Sequence, residues 1–338
     1  VQINYKSLLI SEIKFEKSLE MQQIAVFLEH FFDDKSYFEI KTSGSTGVPK
    51  VIRLDKKNMS ASAKATLIYL NLKKGDIALL CLAPTYIAGV MMLVRWLEGD
   101  LHLITSKVEA NPLQYFQEEI QFAAMVPYQA ETSFRELHKV KKLILGGGPV
   151  SRELENKLIE LPTEIYHTYG MTETISHVAM RNLGDEVFEA LPSVMFEVDD
   201  RSCLRITALG IGVENLQTND VVELIDNAHF KWKGRADFVI NSGGVKLHPE
   251  EIENKITIKG KTIMAAGFPD DKLGEHLVLF IEGHPFKFDE NEVFSHLSKY
   301  EKPKAVYFIP NFVRTKNGKI NRGQTAALYE RNHIQSNP

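Results

Sequence analysis

Nine residues, Thr42-Ser43-Gly44-Ser45-Thr46-Gly47-Val48-Pro49-Lys50, gather hydroxyls, glycines and a cation around one apolar side chain, Val48. Such a stretch has little to give a core and much to give an anion. Glycines let backbone N–H groups turn toward a ligand, the hydroxyls of Thr42, Ser43, Ser45 and Thr46 add donors, and Lys50 adds positive charge, which together suit a polyphosphate. The common nucleotide loop G-x-x-x-x-G-K-[ST] is excluded, because Val48-Pro49 separates Gly47 from Lys50 and Val51 follows where a metal-binding hydroxyl would stand. A flexible Gly/Ser connector is disfavoured by Pro49-Lys50 and the strand-like run after it. Two later stretches also carry chemistry. Gly146-Gly147-Gly148-Pro149 offers bare backbone against which a flat purine ring could lie. Thr168-Tyr169-Gly170-Met171-Thr172-Glu173-Thr174 sets an aromatic ring, hydroxyls and a carboxylate close together, able to stack a base, bind a phosphate oxygen and hold Mg²⁺, which prefers oxygen ligands. Taken alone, the same string also reads as a loop entering a helix with a solvated glutamate.

The elements that must hold these residues follow from periodicity. Leu19 to Phe32 is amphipathic with helical spacing at Ile24, Phe27, Leu28 and Phe31, and fits a helix covering a sheet. After the glycine loop come a short strand, Val51 to Leu54, and a helix from Lys56 to Leu70 with Asn58 or Ser60 near its start. A βα alternation then runs through strand Ile77 to Leu82, helix Ala88 to Leu97, strand Leu101 to Ile104 and a helix opened by Asn111-Pro112. It continues with strand Phe122 to Val126, helix Pro127 to His138, strand Leu143 to Leu145, and a helix after Ser151 with Leu154, Leu158 and Leu161 in one stripe. That series implies a parallel sheet whose ligands sit at the carboxyl ends of its strands, where the glycine run and Glu164 to His167 lead into the candidate motifs. From Val187 to Ile225 short alternating strands imply a small β-subdomain. The charged glycine turn Gly234-Arg235-Ala236-Asp237 has the composition of an exposed hinge. Beyond it, Pro249 with Glu250 and Glu251 suits a helix start.

With 338 residues and 44% hydrophobic content, the chain is long enough for two globular domains. A net charge of -4 argues against bulk nucleic-acid or anionic-membrane binding. Cys81 and Cys203 lie in separate apolar runs and read as core residues, in keeping with a reducing cytoplasm. No signal-peptide pattern opens the sequence, and the uncharged stretch Ile77 to Val94 is interrupted by Pro84 and Gly89, so it reads as strand, loop and helix with no membrane span.

With these motifs in this order, the chain resembles the adenylate-forming superfamily of acyl- and aryl-CoA synthetases, luciferases and peptide-synthetase adenylation domains, from Thr42 to Arg322. Within it, the short N-terminal part, Tyr-Gly-Met-Thr-Glu-Thr and the run Met92 to Leu97 are similar to compact o-succinylbenzoate–CoA ligases of menaquinone biosynthesis. The resemblance implies an α/β fold. It has a large N-terminal domain, 1–235, with a parallel α/β sheet and a small β-subdomain, and a smaller mobile α+β C-terminal domain, 236–338. It implies ATP, Mg²⁺ and CoA as partners of a small carboxylic acid, and an acyl-adenylate intermediate. Homo-oligomerisation stays open. By the same resemblance, Thr42 to Gly47 and Lys50 hold phosphates, Gly147, Gly148, Pro149 and Tyr169 hold adenine, Asp220 holds the ribose, and Arg235, in the hinge turn, is a further cofactor-binding residue. Thr172 binds phosphate, Glu173 binds the metal, and Lys319 is the catalytic lysine. Asp237 is the hinge, and Gly243, Gly244 and Lys246 face the thiol step. Thr218-Asn219-Asp220 departs from the family's T-G-D, with Asn219 expected to preserve a turn. Tyr86 stands where many relatives have histidine. Tyr86, Gly89, Arg95, Thr168 and His177 are the candidates around the acid, and a buried second carboxylate would need one of the polar groups as a partner. A ligase for another aryl or fatty acid, on CoA or a carrier protein, and an inactive nucleotide-binding relative are the alternatives.

Overall fold

The structure is a computed structural model that describes residues 19–41, 51–314 and 320–334. The segments holding Thr42 to Lys50, and Lys319, lie outside the described residues, but both are held at their ends. Strands β1 (Tyr37–Lys41) and β2 (Val51–Asp55) pair antiparallel, with Lys41 opposite Val51 at the mouth of the glycine-rich segment. Arg314 and Ile320 form an antiparallel bridge across the lysine segment.

Helix α1 (Leu19–Phe31) buries Ile24, Phe27, Leu28 and Phe31, the face its sequence spacing marks. Its Phe27 ring stands 5.6 Å from Phe38 of β1. Helix α2 (Lys56–Tyr69) is capped by Asp55, whose carboxylate accepts the N–H groups of Lys57 at 2.8 Å and Asn58 at 3.2 Å. The cap is thus neither Asn58 nor Ser60, because Asp55 ends β2 in the extended geometry a cap requires. Helix α3 (Ile87–Gly99) buries every residue from Gly89 to Arg95.

The large sheet has eleven strands. Strands β3 (Ile77–Leu80), β4 (His102–Thr105), β5 (Ile120–Met125), β6 (Val140–Leu145) and β7 (Glu164–Gly170) are parallel, in the order β4-β3-β5-β6-β7. One face of this half carries α1, α2 and α3; the other carries α4 (Pro127–Thr132) and α5 (Arg152–Leu158). Covering on both faces is why these strands are near-continuous apolar runs. The expected helix at Asn111-Pro112 is a turn, in which the Asn111 side chain accepts the Leu113 N–H at 3.2 Å. The expected helix to His138 stops at Thr132, whose hydroxyl turns back to the Tyr128 carbonyl at 2.8 Å, and a 3-10 turn covers Leu137–Lys139.

The β-rich region is the continuation of the same sheet. Strand β8 (His177–Asn182) pairs antiparallel with β7, followed across the sheet by β9 (Val187–Ala190), β13 (His229–Arg235), β12 (Val213–Leu224), β11 (Cys203–Ala208) and β10 (Met195–Val198). This antiparallel half coils strongly. Four inter-strand spacings separate β12 from β7, roughly 19 Å in a flat sheet, yet the Tyr169 hydroxyl on β7 lies 2.8 Å from Asp220 on β12. Phe188, Phe196 and Phe230 fill the concavity, with Phe230 4.9 Å from Phe196 and 5.3 Å from Phe188. Asn219 lies inside the continuous strand β12 at negative φ, so the turn expected there is absent.

Beyond residue 235 a second sheet forms from the hairpin β14 (Ile240–Ser242) and β15 (Val245–Leu247), the antiparallel pair β16 (Ile263–Asp270) and β17 (Gly274–Glu282), and β18 (Ala305–Ile309) parallel to β17. Helices α6 (Pro249–Lys255), α7 (Glu290–Val293) and α8 (Arg322–Ile334) accompany it. Its two apolar clusters contain only residues from 240 onward, and the three clusters of the larger unit contain none past 232. Among the described residues no apolar cluster crosses the junction. Both cysteines are buried and unpaired, and no helix among the described residues is long and apolar enough to cross a membrane.

Candidate active site

The carboxyl ends of β6 and β7 bring two candidate stretches together. Gly146 leaves β6 so close to β7 that an added Cβ would stand 2.8 Å from the Thr168 hydroxyl, which itself donates to the Leu145 carbonyl at 2.9 Å. Gly147 and Pro149 are exposed beside it and Gly148 is half-buried. Strand β7 continues through Tyr169 and Gly170, so the tyrosine is held by the sheet rather than by a loop. Its ring packs edge-on against Phe230 at 5.1 Å and Phe188 at 6.0 Å. Its hydroxyl donates to Asp220 Oδ2 at 2.8 Å. Burial, and then the Asp220 charge, hold the Tyr169 phenol well above its ordinary range, so it remains a neutral donor.

Asp220 is buried, and it also accepts from Trp232 Nε1 at 3.2 Å. Its cross-strand partner is Arg235, whose guanidinium lies 3.8 Å away and bonds Asp237 at 2.9 Å. Asn219 donates to Asp237 at 3.2 Å. A carboxylate can accept about four hydrogen bonds, so Asp220 has room for hydroxyl donors from a ligand. Tyr169, Asp220, Arg235 and Asp237 therefore form one constellation.

After Gly170 the chain makes a 3-10 turn over Thr172–Thr174 in place of a full helix. Glu173 stands exposed on it with no hydrogen-bond or ion-pair partner among the described residues. Among those residues no cluster of three His, Cys, Asp or Glu could cage a metal. A single free carboxylate fits Mg²⁺, which completes its shell with water and phosphate oxygens. Ile175 follows at φ 66° and ψ -51°, with the Ser176 N–H on the Thr174 carbonyl at 2.7 Å, a strained γ-turn for a buried β-branched residue. This turn doubles the chain back onto Gly170, where a Cβ would lie 2.4 Å from the Ser176 carbonyl oxygen and 2.5 Å from His177 Cα. Since backbone cannot yield as a side chain does, Gly170→Ala is expected to destabilise the fold by about 1–3 kcal/mol. Thermal unfolding checks this, and an unchanged melting temperature would mean the fold-back is not required.

The fold-back delivers Ser176 and His177 to Arg95. Gly89 makes the approach of α3 possible: a Cβ there would sit 2.3 Å from the Ala83 carbonyl oxygen. Arg95 is 2% exposed, and its one hydrogen bond among the described residues runs from Nη2 to Ser176 Oγ at 2.8 Å. Nε is buried without a partner and no carboxylate of the described chain pairs with the guanidinium. Burial pushes it down to about 9, so it remains charged at neutral pH. His177 is buried, with Nε2 3.0 Å from the Thr66 hydroxyl; burial, then Arg95, hold its imidazole well below the ordinary range and keep it neutral. Tyr86, by contrast, is 58% exposed at the start of α3 and makes no side-chain cap to that helix.

Three contributors are not apparent from the motifs. His167 is held at about 4 by burial and then by Arg181; it meets the Gly148 backbone and leaves Nδ1 unpartnered beneath the glycine loop. The ion pair of Arg181 with Glu155, 2.6 Å and half-sunk, underlies it. Ser176 is visible in sequence only as a small polar residue. Across the junction, Gly243 and Gly244 form the tip of the β14–β15 hairpin with φ 59° and 83°, where two glycines suit a two-residue turn, and Lys246 is exposed on β15.

This geometry, a doubly covered parallel sheet opening into a coiled antiparallel half with an aromatic–carboxylate pair at its mouth, coincides with a family match over residues 32–202. The chain belongs to the AMP-binding enzyme family. A 2-succinylbenzoate–CoA ligase of Lactococcus lactis is 26% identical over 322 residues, covering 86% of this chain and 71% of that protein. The crystal structure of an acyl-CoA synthetase (AMP-forming)/AMP-acid ligase II-like protein from Dyadobacter fermentans is 37% identical, with a TM-score of 0.64 over 94% of this chain and 97% of that one. The o-succinylbenzoate CoA synthetase of Bacillus subtilis, solved with its acyl-adenylate OSB-AMP, shares the fold at a TM-score of 0.73 and 19% identity, over 85% of this chain and 68% of that one.

Proposed function

We propose that the chain is an AMP-forming acid–CoA ligase that converts 2-succinylbenzoate, ATP and CoA to the CoA thioester, AMP and pyrophosphate. In the first half-reaction a carboxylate oxygen bonds to the α-phosphorus and pyrophosphate leaves; in the second the CoA sulfur attacks the acyl carbonyl and AMP leaves. Residues Thr42 to Gly47 and Lys50 take the phosphates, Gly147 to Pro149 and Tyr169 the base, and Asp220 with Arg235 the sugar. Thr172 binds a phosphate oxygen. Mg²⁺, held through Glu173 and phosphate oxygens, would supply charge neutralisation. Residues 1–235 and 236–338 act as two domains hinged at Asp237, and the polar junction without a shared core supports that division. Their rotation exchanges Lys319 for the Gly243-Gly244 hairpin and Lys246.

Arg95 carries the choice of acid. An unpaired buried guanidinium is costly to keep in a folded chain. A ligand that brings its own second carboxylate supplies the missing partner, and 2-succinylbenzoate is a dicarboxylate. The name of the Lactococcus lactis relative points to the same acid. The test is pyrophosphate release with MgATP across a panel of aryl and fatty acids, with and without CoA, followed by mass detection of the product. Turnover restricted to dicarboxylates with a CoA thioester product is the expected result. Turnover of monocarboxylates at equal rates would reassign the acid, and nucleotide binding without turnover of any acid would make the chain an inactive relative.

A further inference from the structure

The junction between residues 235 and 240 is bridged by polar contacts, and one of them is buried. Lys233 of β13 pairs with Glu251 of α6 at 3.1 Å, and Arg152 donates to the Asn254 carbonyl at 3.4 Å. Between them Glu250 points its carboxylate at the backbone of β13. A Cβ added to Gly234 would lie 2.5 Å from Glu250 Oε2 and 3.2 Å from its Cδ, so the carboxylate rests on the bare Cα of the glycine. The φ of Gly234 is 150°, within the range that favours glycine. The Arg235 N–H also approaches this carboxylate. Oε2 is buried with no hydrogen-bond partner, while Oε1 lies 3.8 Å from Arg322 Nε.

Arg322 is itself fixed within the smaller unit. It pairs with both oxygens of Glu253, one at 2.7 Å, donates to the Ala265 carbonyl at 3.2 Å, and stacks over Phe238 at 5.4 Å. It follows Lys319 by three residues in sequence. Glu250 is thus an incompletely satisfied carboxylate pressed on the hinge strand, with its charge tolerated because an arginine at the end of the lysine segment faces it. A group placed this way prefers one arrangement of the two units, since rotation about residues 236–238 would carry it off Gly234 and let water reach Oε2.

We propose that Glu250 is the latch of the hinge: its seat on Gly234 holds the present arrangement of the two units, and leaving that seat is a step of the rotation that separates adenylation from thioester formation. The latch rests on reading residues 236–338 as a mobile domain, and is independent of which acid is used. Glu250 is a positioning residue, acting through its seat on Gly234 and through Arg322.

The test compares the full chain with its E250Q and E250A variants in two ways. Trypsin cuts after Lys233 and Arg235, so the rate of nicking at the hinge reports how often β13 is released from α6. In the two variants nicking is expected to rise at least threefold, and the ratio of the pyrophosphate-release rate to the rate of thioester formation from supplied acyl-adenylate to change at least threefold. A structural role alone would lower both half-reactions together, with a lower melting temperature. Unchanged nicking, or an equal fall in both half-reactions, overturns the latch. Faster nicking in a preparation that turns over no acid keeps Glu250 as the tie between the two units, but discards the ligase reading and overturns the tie's part in the rotation.

Discussion

Replacing Lys319 with alanine is expected to lower pyrophosphate release roughly 10²–10³-fold, the usual cost of removing one group that stabilises developing charge, while leaving thioester formation from supplied acyl-adenylate within about twofold of the parent. The reason is electrostatic. In adenylation an anionic carboxylate must approach an anionic α-phosphate, and a cation between them lowers that repulsion more at the transition state than in the separated reactants. In the second half-reaction AMP is already the leaving group, and by the proposed rotation Lys319 has withdrawn. Both rates are measured on one preparation, so a misfolded variant would show itself by losing both. An equal loss in a variant with an unchanged melting temperature would end the division of labour between the two arrangements.

The second large effect is expected at Arg95. Arg95→Met should lower kcat/KM for the dicarboxylate by about 2–5 kcal/mol, the cost of removing one partner from a buried charge pair, roughly 30-fold to a few thousand-fold at 1.4 kcal/mol per decade. The KM for ATP should change little. Stability should move the other way. Without ligand the guanidinium is a buried charge bonded only to the Ser176 hydroxyl among the described residues, so an apolar side chain of similar length is expected to stabilise the free protein by about 1–4 kcal/mol. A higher melting temperature with lost dicarboxylate turnover would identify Arg95 as the seat of the second carboxylate. A lower melting temperature with equal losses for every acid would make it a packing residue and remove the basis for choosing 2-succinylbenzoate.

The parallel half of the fold was legible because each of its elements advertises itself locally. Helix α1 shows its apolar stripe, and β5 and β6 read as short apolar runs between turn signals. The antiparallel half resisted for a different reason: its strands were recognisable, but their order across the sheet depends on long-range pairing such as Phe230 of β13 with Phe188 of β9, which no local window contains. The helix expected from Asn111-Pro112 failed because the same asparagine that caps helices also closes tight turns, and only the following packing decides between them. The family motifs marked Tyr169, Asp220 and Arg235 one by one, and the structure brings the three side chains together. Arg95 was visible as one charge in an apolar run, but whether it met a carboxylate depended on residues more than eighty positions away, with Ser176 as its partner. Ile175 gave no warning at all, since a β-branched residue is the last expected in a γ-turn.

If Tyr169 and Asp220 hold the base and sugar as proposed, then the coil of the antiparallel half sets the distance between two parts of one ligand. Phe188, Phe196 and Phe230 determine how far that coil closes, although they are buried. Affinity for the nucleotide would then be open to slow evolutionary drift through interior substitutions that never touch it. A lineage could loosen or tighten its hold on ATP by exchanging one ring for an aliphatic side chain, while every residue of the recognised motifs stayed the same.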